Sequence, residues 1–215
     1  MDKTSAFHAA YREGQPLFGT VPTVELFRAI DQTNLQPCRA LDVGCGDGRD
    51  TIELVSRGFE VTAVDVSSAA IASLSSRLKS SASRGTIVPV VADVVQWEPT
   101  GEFGIVTAVT LLDHLEEDLS HRIAQKLVMS LASGGLGFFQ VLTIDDPAVT
   151  NSGSRSEFAG EIRHYFGHNE LLELLKPWFR VIYYEERMEW DHDHGTPHQH
   201  GMALFAGLKK TTRSL

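Results

Sequence analysis

The chain has 215 residues, 42% of them apolar, enough for one buried core with a modest extension. Its 28 acidic against 19 basic residues leave a formal charge of -9, the wrong sign for a protein that binds by neutralising phosphates, so nucleic acid is not an expected partner and a small-molecule substrate fits better. With no apolar run of about 18 residues, no charged-then-apolar leader, and only Cys38 and Cys45 as thiols, the expectation is a single cytoplasmic domain over 1–215, without membrane association or a structural disulfide.

Residues 1–36 form a segment ahead of the core, in which Phe7–Val24, with Tyr11, Phe18 and the turn Gly19–Pro22, reads as an amphipathic helix and loop. The first strand, Leu41–Val43, then breaks into alternating glycines within Ala40–Asp50, where a strand should hand over to a helix. Gly44, Gly46 and Gly48 permit positive φ and leave no Cβ in the way, so a ligand can lie against the backbone at the mouth of the next helix. Dinucleotide dehydrogenases use G-x-G-x-x-G to bring backbone amides to a pyrophosphate. Here the spacing is G-x-G-x-G, Asp42 sits two places before the first glycine, and Arg49-Asp50 open the helix, features that disfavour a pyrophosphate.

A helix over Asp50–Arg57 is followed by Phe59–Asp65, whose strand Glu60–Val64 ends on a carboxylate 17 residues beyond Gly48. An acidic side chain there can accept from both hydroxyls of a ribose, in dehydrogenases as in other nucleoside binders. After a helix over Ser68–Ser80, with Ser75–Ser83 as helix end and loop, the strand Ile87–Val91 leads to Asp93. Asp65 and Asp93 have a second reading, as N-caps of the helices that follow. The fourth strand, Ile105–Val109, runs into a polar turn holding Thr110 and His114, and His114 is either a chemical group or a strand-end histidine bonded to its own loop. Glu116–Ser133 is helical in period, with Gly134-Gly135 as its expected C-cap, and Leu136–Leu142 is the fifth strand.

Strands alternating with helices predict a doubly wound α/β sheet. Thr143–Phe166 lies over its strand ends and carries Asp145-Asp146-Pro147, Asn151–Ser154 and Arg163-His164-Tyr165-Phe166. A helix over Asn169–Leu175 is stopped by Pro177, and strands at Phe179–Glu185 and Met202–Leu208 follow. Between them, Trp190–Gly201 holds His192, His194, His198 and His200 with Asp191 and Asp193. Three readings stay open for this cluster: a metal site, a substrate loop with a histidine as base or donor, or a solvated polar loop.

The motif Asp42-x-Gly44-x-Gly46-x-Gly48, with Asp65, Asp93 and Phe103–Leu115 in order behind it, resembles the class I S-adenosylmethionine (SAM) methyltransferases. The resemblance runs through recognisable motifs over about 37–145 and through element order beyond. It implies a Rossmann-like, mostly parallel seven-stranded sheet whose C-terminal hairpin contains the antiparallel strand, with SAM as cofactor. It also implies Asp42, Gly44, Cys45, Gly46 and Arg49 at the cofactor turn, Asp65 and Val66 beside the ribose, Asp93 and Val94 beside the adenine, and Thr110 near the transferred methyl. Members often carry a cover ahead of the core, and a substrate loop, helix and hairpin would occupy 146–215. Tyr11, His114, His164, Tyr165, His198 and His200 are the candidates for the acceptor side, and no residue is assigned to a metal. The glycine turn, Gly58–Asp65 and the loop before Met202–Lys209 are similar to the tellurite-resistance group, which methylates metalloids, thiols and other small acceptors, although its arginine-containing loop is histidine-rich here. An NAD-dependent oxidoreductase and a non-catalytic SAM- or metal-binding protein are the alternatives.

Overall fold

The computed structural model describes residues 9–12, 16–79, 84–150, 158–193 and 195–211. Parallel strands covered on both faces need apolar residues at successive positions, and Arg39–Val43 (β1), Phe103–Val109 (β4) and Leu131–Leu142 (β5) have them. These three take the middle of a seven-stranded sheet. Glu60–Asp65 (β2) and Thr86–Val91 (β3) extend it beyond β1, and Phe179–Asp191 (β6) and His198–Lys209 (β7) beyond β5, in the order β3-β2-β1-β4-β5-β7-β6. β1 to β5 pair in parallel, and β7 runs antiparallel to both of its neighbours, as the sequence resemblance implied.

Adjacent strand residues point to opposite faces, so Leu41, Val106 and Phe139 pack on one side while Ala40, Ile105 and Phe138 pack on the other. The first side is covered by Glu117–Ser130 (α4) and Glu170–Leu175 (α6), through Ile123, Leu127, Leu171 and Leu175. The second is covered by Val24–Thr33 (α1), Arg49–Ser56 (α2) and Ser68–Leu78 (α3), through Leu26, Leu54 and Leu74. Phe138, Phe139 and Phe205 are fully buried, and each such side chain contributes roughly 1.5–3 kcal/mol of transfer free energy. Gly48 caps α2 at φ 87°, and a Cβ there would lie 2.2 Å from Leu74 Cδ1, so α2 and α3 approach only because the side chain is missing. A short helix at Pro147–Thr150 (α5) and 3-10 turns at Leu112–His114 and Ala159–Glu161 lie in the connections between these elements.

Three expectations are corrected. The fourth helix stops at Ser130, whose hydroxyl bonds back to the Leu127 carbonyl, and Leu131 is already extended. Gly134 and Gly135 therefore lie inside β5, where the pairing with β4 shifts from Phe103↔Leu131 to Ile105↔Leu136, and they cap no helix. Half of the polar stretch Trp190–Gly201 is strand: β6 and β7 pair out to Asp191↔His198, leaving 192–197 as the connection. Of the proposed loops, Asn151–Ser154, His194 and parts of Phe7–Val24 and Ser75–Ser83 fall outside the described residues. No helix among the described residues is long and apolar enough to cross a membrane.

Strand order reverses between β1 and β4, the chain having gone first towards β3 and then back towards β5. Open parallel sheets leave a crevice at the carboxyl ends of strands on either side of such a reversal.

Candidate cofactor and acceptor site

A cavity of about 450 Å³ occupies that crevice. Its wall is built from the glycine turn after β1, the ends of β2, β3 and β4, and the segment that follows β5.

Strand alternation turns Asp42 towards α2, where the Thr51 hydroxyl donates to its carboxylate. Burial pushes the Asp42 carboxyl up to about 7, with the nearby Asp50 charge adding to the effect and the Thr51 hydrogen bond opposing it. Asp65, ending β2, accepts the peptide N–H of Gly46 at 2.9 Å on one oxygen and that of Ser67 at 2.7 Å on the other. Those bonds tie the glycine turn to the second strand and leave further lone pairs directed at the cavity border. Burial raises the pKa of Asp65, against the lowering effect of both amides. Gly46 adopts φ 54°, and a Cβ on it would lie 2.6 Å from the Tyr11 hydroxyl.

Asp47 and Asp50 add to this ring of carboxylates. Asp47 pairs with Arg77 at 3.0 Å and accepts the Leu17 amide, and burial still raises its pKa. Asp50 accepts both the amide and the hydroxyl of Thr23, at 2.7 and 2.8 Å. Arg49 reaches the Phe18 carbonyl and Thr23 Oγ1, fixing residues 17–23 over the turn. Asp93 accepts the Val95 amide on its side chain in a tight turn, so no helix follows for it to cap. Asp65 is likewise not a cap; Ser67 caps α3 by accepting from Ala70 N.

All ten residues expected at the cofactor border this one cavity: Asp42, Gly44, Cys45, Gly46, Arg49, Asp65, Val66, Asp93, Val94 and Thr110. The acceptor candidates divide. His114, Tyr165 and His200 line the cavity, and His114 Nδ1 lies 3.2 Å from the Glu161 carbonyl. Tyr11 lines it too, but over the glycine turn, beside Asp65 and Asp47, and burial together with those charges raises its pKa well above the usual phenol value. His198 is buried behind His200. His164 is turned away, with Nε2 2.7 Å from Glu170 Oε1 and its ring against Phe166. The cause is local: the amides of Arg163 and His164 both donate to the Asp113 carbonyl, which clamps this extended loop so that 163 and 165 face inwards and 164 outwards.

Three polar wall residues had no expectation attached to them. Asp113 is fully buried, and neither carboxylate oxygen has a hydrogen-bond partner among the described residues. Burial raises its pKa, an effect moderated by His114 nearby. Gln140, on β5, donates to the Met202 sulfur at 3.3 Å, and Asp146 accepts from His200 Nδ1 at 2.7 Å. The one signal for Asp113 and Gln140 was a polar residue inside an otherwise apolar run.

The expected cofactor fits this donor set. Open backbone at Gly44 and Gly46 leaves room for a ligand, Asp65 offers acceptors for a diol, and the carboxylates gathered at the turn, once ionised, suit a ligand with cationic groups.

Residues 40–135 match the family described as "Methyltransferase domain". The chain is 36% identical over 111 residues to the magnesium-protoporphyrin O-methyltransferase of Rhodobacter capsulatus, a match spanning 52% of this chain and 46% of that protein. It thus spans about half the length of the curated relatives it matches. Its fold is similar to that of TehB from Haemophilus influenzae, with a TM-score of 0.68 and 20% identity over 86% of this chain and 62% of the other. It is also similar to the N-methyltransferase NodS from Bradyrhizobium japonicum, solved with S-adenosyl-L-homocysteine, with a TM-score of 0.71 and 16% identity over 98% of this chain and all of that one.

Proposed function

We propose that this chain, whose residues 40–135 match a methyltransferase-domain family, is a class I SAM-dependent methyltransferase that transfers a methyl group from SAM to a small nucleophilic molecule. The observation that carries the reading is the charge around the glycine turn. Asp42, Asp47, Asp50 and Asp65 all border the cavity there, suiting a nucleoside with ammonium and sulfonium groups and repelling a diphosphate. An NAD-dependent oxidoreductase would have to seat its pyrophosphate among these carboxylates, which counts against it.

Bound SAM supplies a methyl carbon already activated by its sulfonium. The chain's own residues then have three tasks: to hold the nucleoside, to exclude water and to position the acceptor. Gly44 and Gly46 let the ligand approach the backbone, Asp65 receives the ribose hydroxyls, and Asp93 with Val94 borders the adenine end. Tyr11 and Phe18, with residues 17–23 pinned by Arg49, cover the turn against solvent. The acceptor end is walled by His114, Tyr165, Gln140, His200 and Met202. Such a mixed polar and apolar wall, around a cavity of about 450 Å³, supports a small organic or thiol acceptor.

Turnover tests the reading: the full chain is incubated with labelled SAM and panels of small phenols, carboxylic acids, amines and thiols, following S-adenosylhomocysteine. Formation of that product only in the presence of an acceptor from the panel supports it. Saturable SAM binding with no acceptor-dependent turnover points instead to the non-catalytic alternative.

A further inference from the structure

Beyond the cofactor half of the cavity, the β6–β7 hairpin gathers three groups of metal-ligating chemistry. Nε2 of His198 and Nε2 of His200 face each other at 3.0 Å, with the rings at 82° and their centroids 4.6 Å apart. Ligand atoms of these two rings and of the Asp191 carboxylate all lie within 4.8 Å of one another. Sheet geometry dictates the convergence: residues two apart on β7 share a face, and Asp191 on β6 is the register partner of His198.

The other ring nitrogens fix the tautomers. Nδ1 of His200 lies 2.7 Å from the Asp146 carboxylate and Nδ1 of His198 lies 2.8 Å from the Thr196 carbonyl. Both are acceptors only, so each neutral ring carries its proton on Nδ1 and turns a lone pair on Nε2 towards the other ring. Two lone pairs at that separation between buried rings repel unless a positive centre lies between or beside them.

We propose that His198 Nε2, His200 Nε2 and the Asp191 carboxylate bind a zinc-class divalent cation. Two nitrogens on a tetrahedral zinc lie roughly 3.4 Å apart, so a few tenths of an ångström of ring movement admits the ion. Asp146 and the Thr196 carbonyl are the partners that hold a ligating imidazole in orientation. His200 and Asp191 also line the cavity, which places the ion's remaining coordination position beside the acceptor for a water or an acceptor heteroatom. The site is argued from its own ligands and stands whether or not methyl transfer is the reaction.

A second convergent group, His121, His164 and Glu170, does not share this property. There both Nε2 atoms lie 2.7 Å from the same Glu170 oxygen, so two N–H donors meet one acceptor and no cation is needed.

The test is zinc itself, followed on the full chain after chelator treatment by stoichiometry and competition titration, with cobalt as a spectroscopic substitute. The site predicts about one equivalent bound and a visible cobalt spectrum of four- or five-coordinate form. His198→Asn and His200→Asn lower zinc affinity by about 100-fold or more, Asp146→Asn by about 10–100-fold, and His121→Asn leaves it unchanged. Asp191→Asn, at the end of the hairpin, is the variant least able to disturb folding; thermal melts and SAM titration of each variant separate lost binding from lost structure. Absence of zinc binding in a chain that melts cooperatively overturns the proposal. So does binding lost in His121→Asn but kept in His198→Asn, or a metal-free NMR signature of one proton shared between His198 and His200 that zinc does not displace.

Discussion

Asp65 accepts the Gly46 amide at 2.9 Å while Gly46 lies beneath the Tyr11 hydroxyl, so one carboxylate, one bare Cα and one phenol fix the floor of the nucleoside end. Gly46→Ala meets two obstacles there, the left-handed backbone at φ 54° and the 2.6 Å approach of its Cβ to Tyr11. The backbone conformation alone costs about 1–2 kcal/mol. Thermal melts and SAM titration should show lower stability and weaker binding, and adding Tyr11→Phe should recover part of the binding loss. Unchanged affinity in Gly46→Ala contradicts the close approach of ligand to turn.

Asp42 gives a pH dependence of defined sign. Its carboxyl is raised by burial to about 7, so between its ordinary value near 4 and pH 7 the native state holds a proton that the unfolded chain has released. The stability from this group is full at low pH and is lost as pH rises through about 7, amounting to about 4 kcal/mol or less. Asp42→Asn should flatten that part of the denaturation-versus-pH curve. SAM affinity should rise across the same range in the wild-type chain as the ionised carboxylate attracts a cation, and this rise should vanish in Asp42→Asn.

His164 and His114 should separate cleanly. His164 sits outside the cavity on Glu170, and His164→Ala should cost about 1.5–3 kcal/mol of stability with SAM and acceptor KM unchanged. His114 lines the cavity, and His114→Ala should lower kcat or raise acceptor KM while melting close to wild type. Steady-state kinetics with paired melts check both; the reverse pattern would show that the acceptor lies on the other side of the Leu112–His114 turn.

Both thiols should be unreactive at neutral pH. Burial and the charges of Asp42 and Asp65 push the Cys45 thiol well above its ordinary range, and burial with Glu60 raises half-buried Cys38. Titration with a thiol reagent at pH 7 should label the native chain slowly, and both cysteines fast once it is unfolded. Rapid labelling of native Cys45 contradicts its placement inside the turn.

The nucleoside end was legible because its residues stand at strand ends and at fixed distances from a glycine turn, as Asp42, Gly46 and Asp65 do. The acceptor end was not, because it is assembled across the chain. Asp113 and Asp146 carry no spacing signature, and Tyr11 reaches the turn only through packing. His164 and Tyr165 are adjacent, yet the clamp on the Asp113 carbonyl sends them to opposite sides. The hairpin was underestimated in length because β6 has a partly exposed face and β7 ends in His198-Gln199-His200, so polar strand residues carried the composition of a loop.

Titration calorimetry of the full chain with SAM and with NAD, on wild type and Asp65→Ala, tests the central claim most directly. One SAM per chain should bind, Asp65→Ala should weaken it by about 1–3 kcal/mol through the lost charged hydrogen bonds to ribose, and NAD should give no saturable heat. A chain that ignores SAM, or that binds NAD in competition with it, contradicts the account.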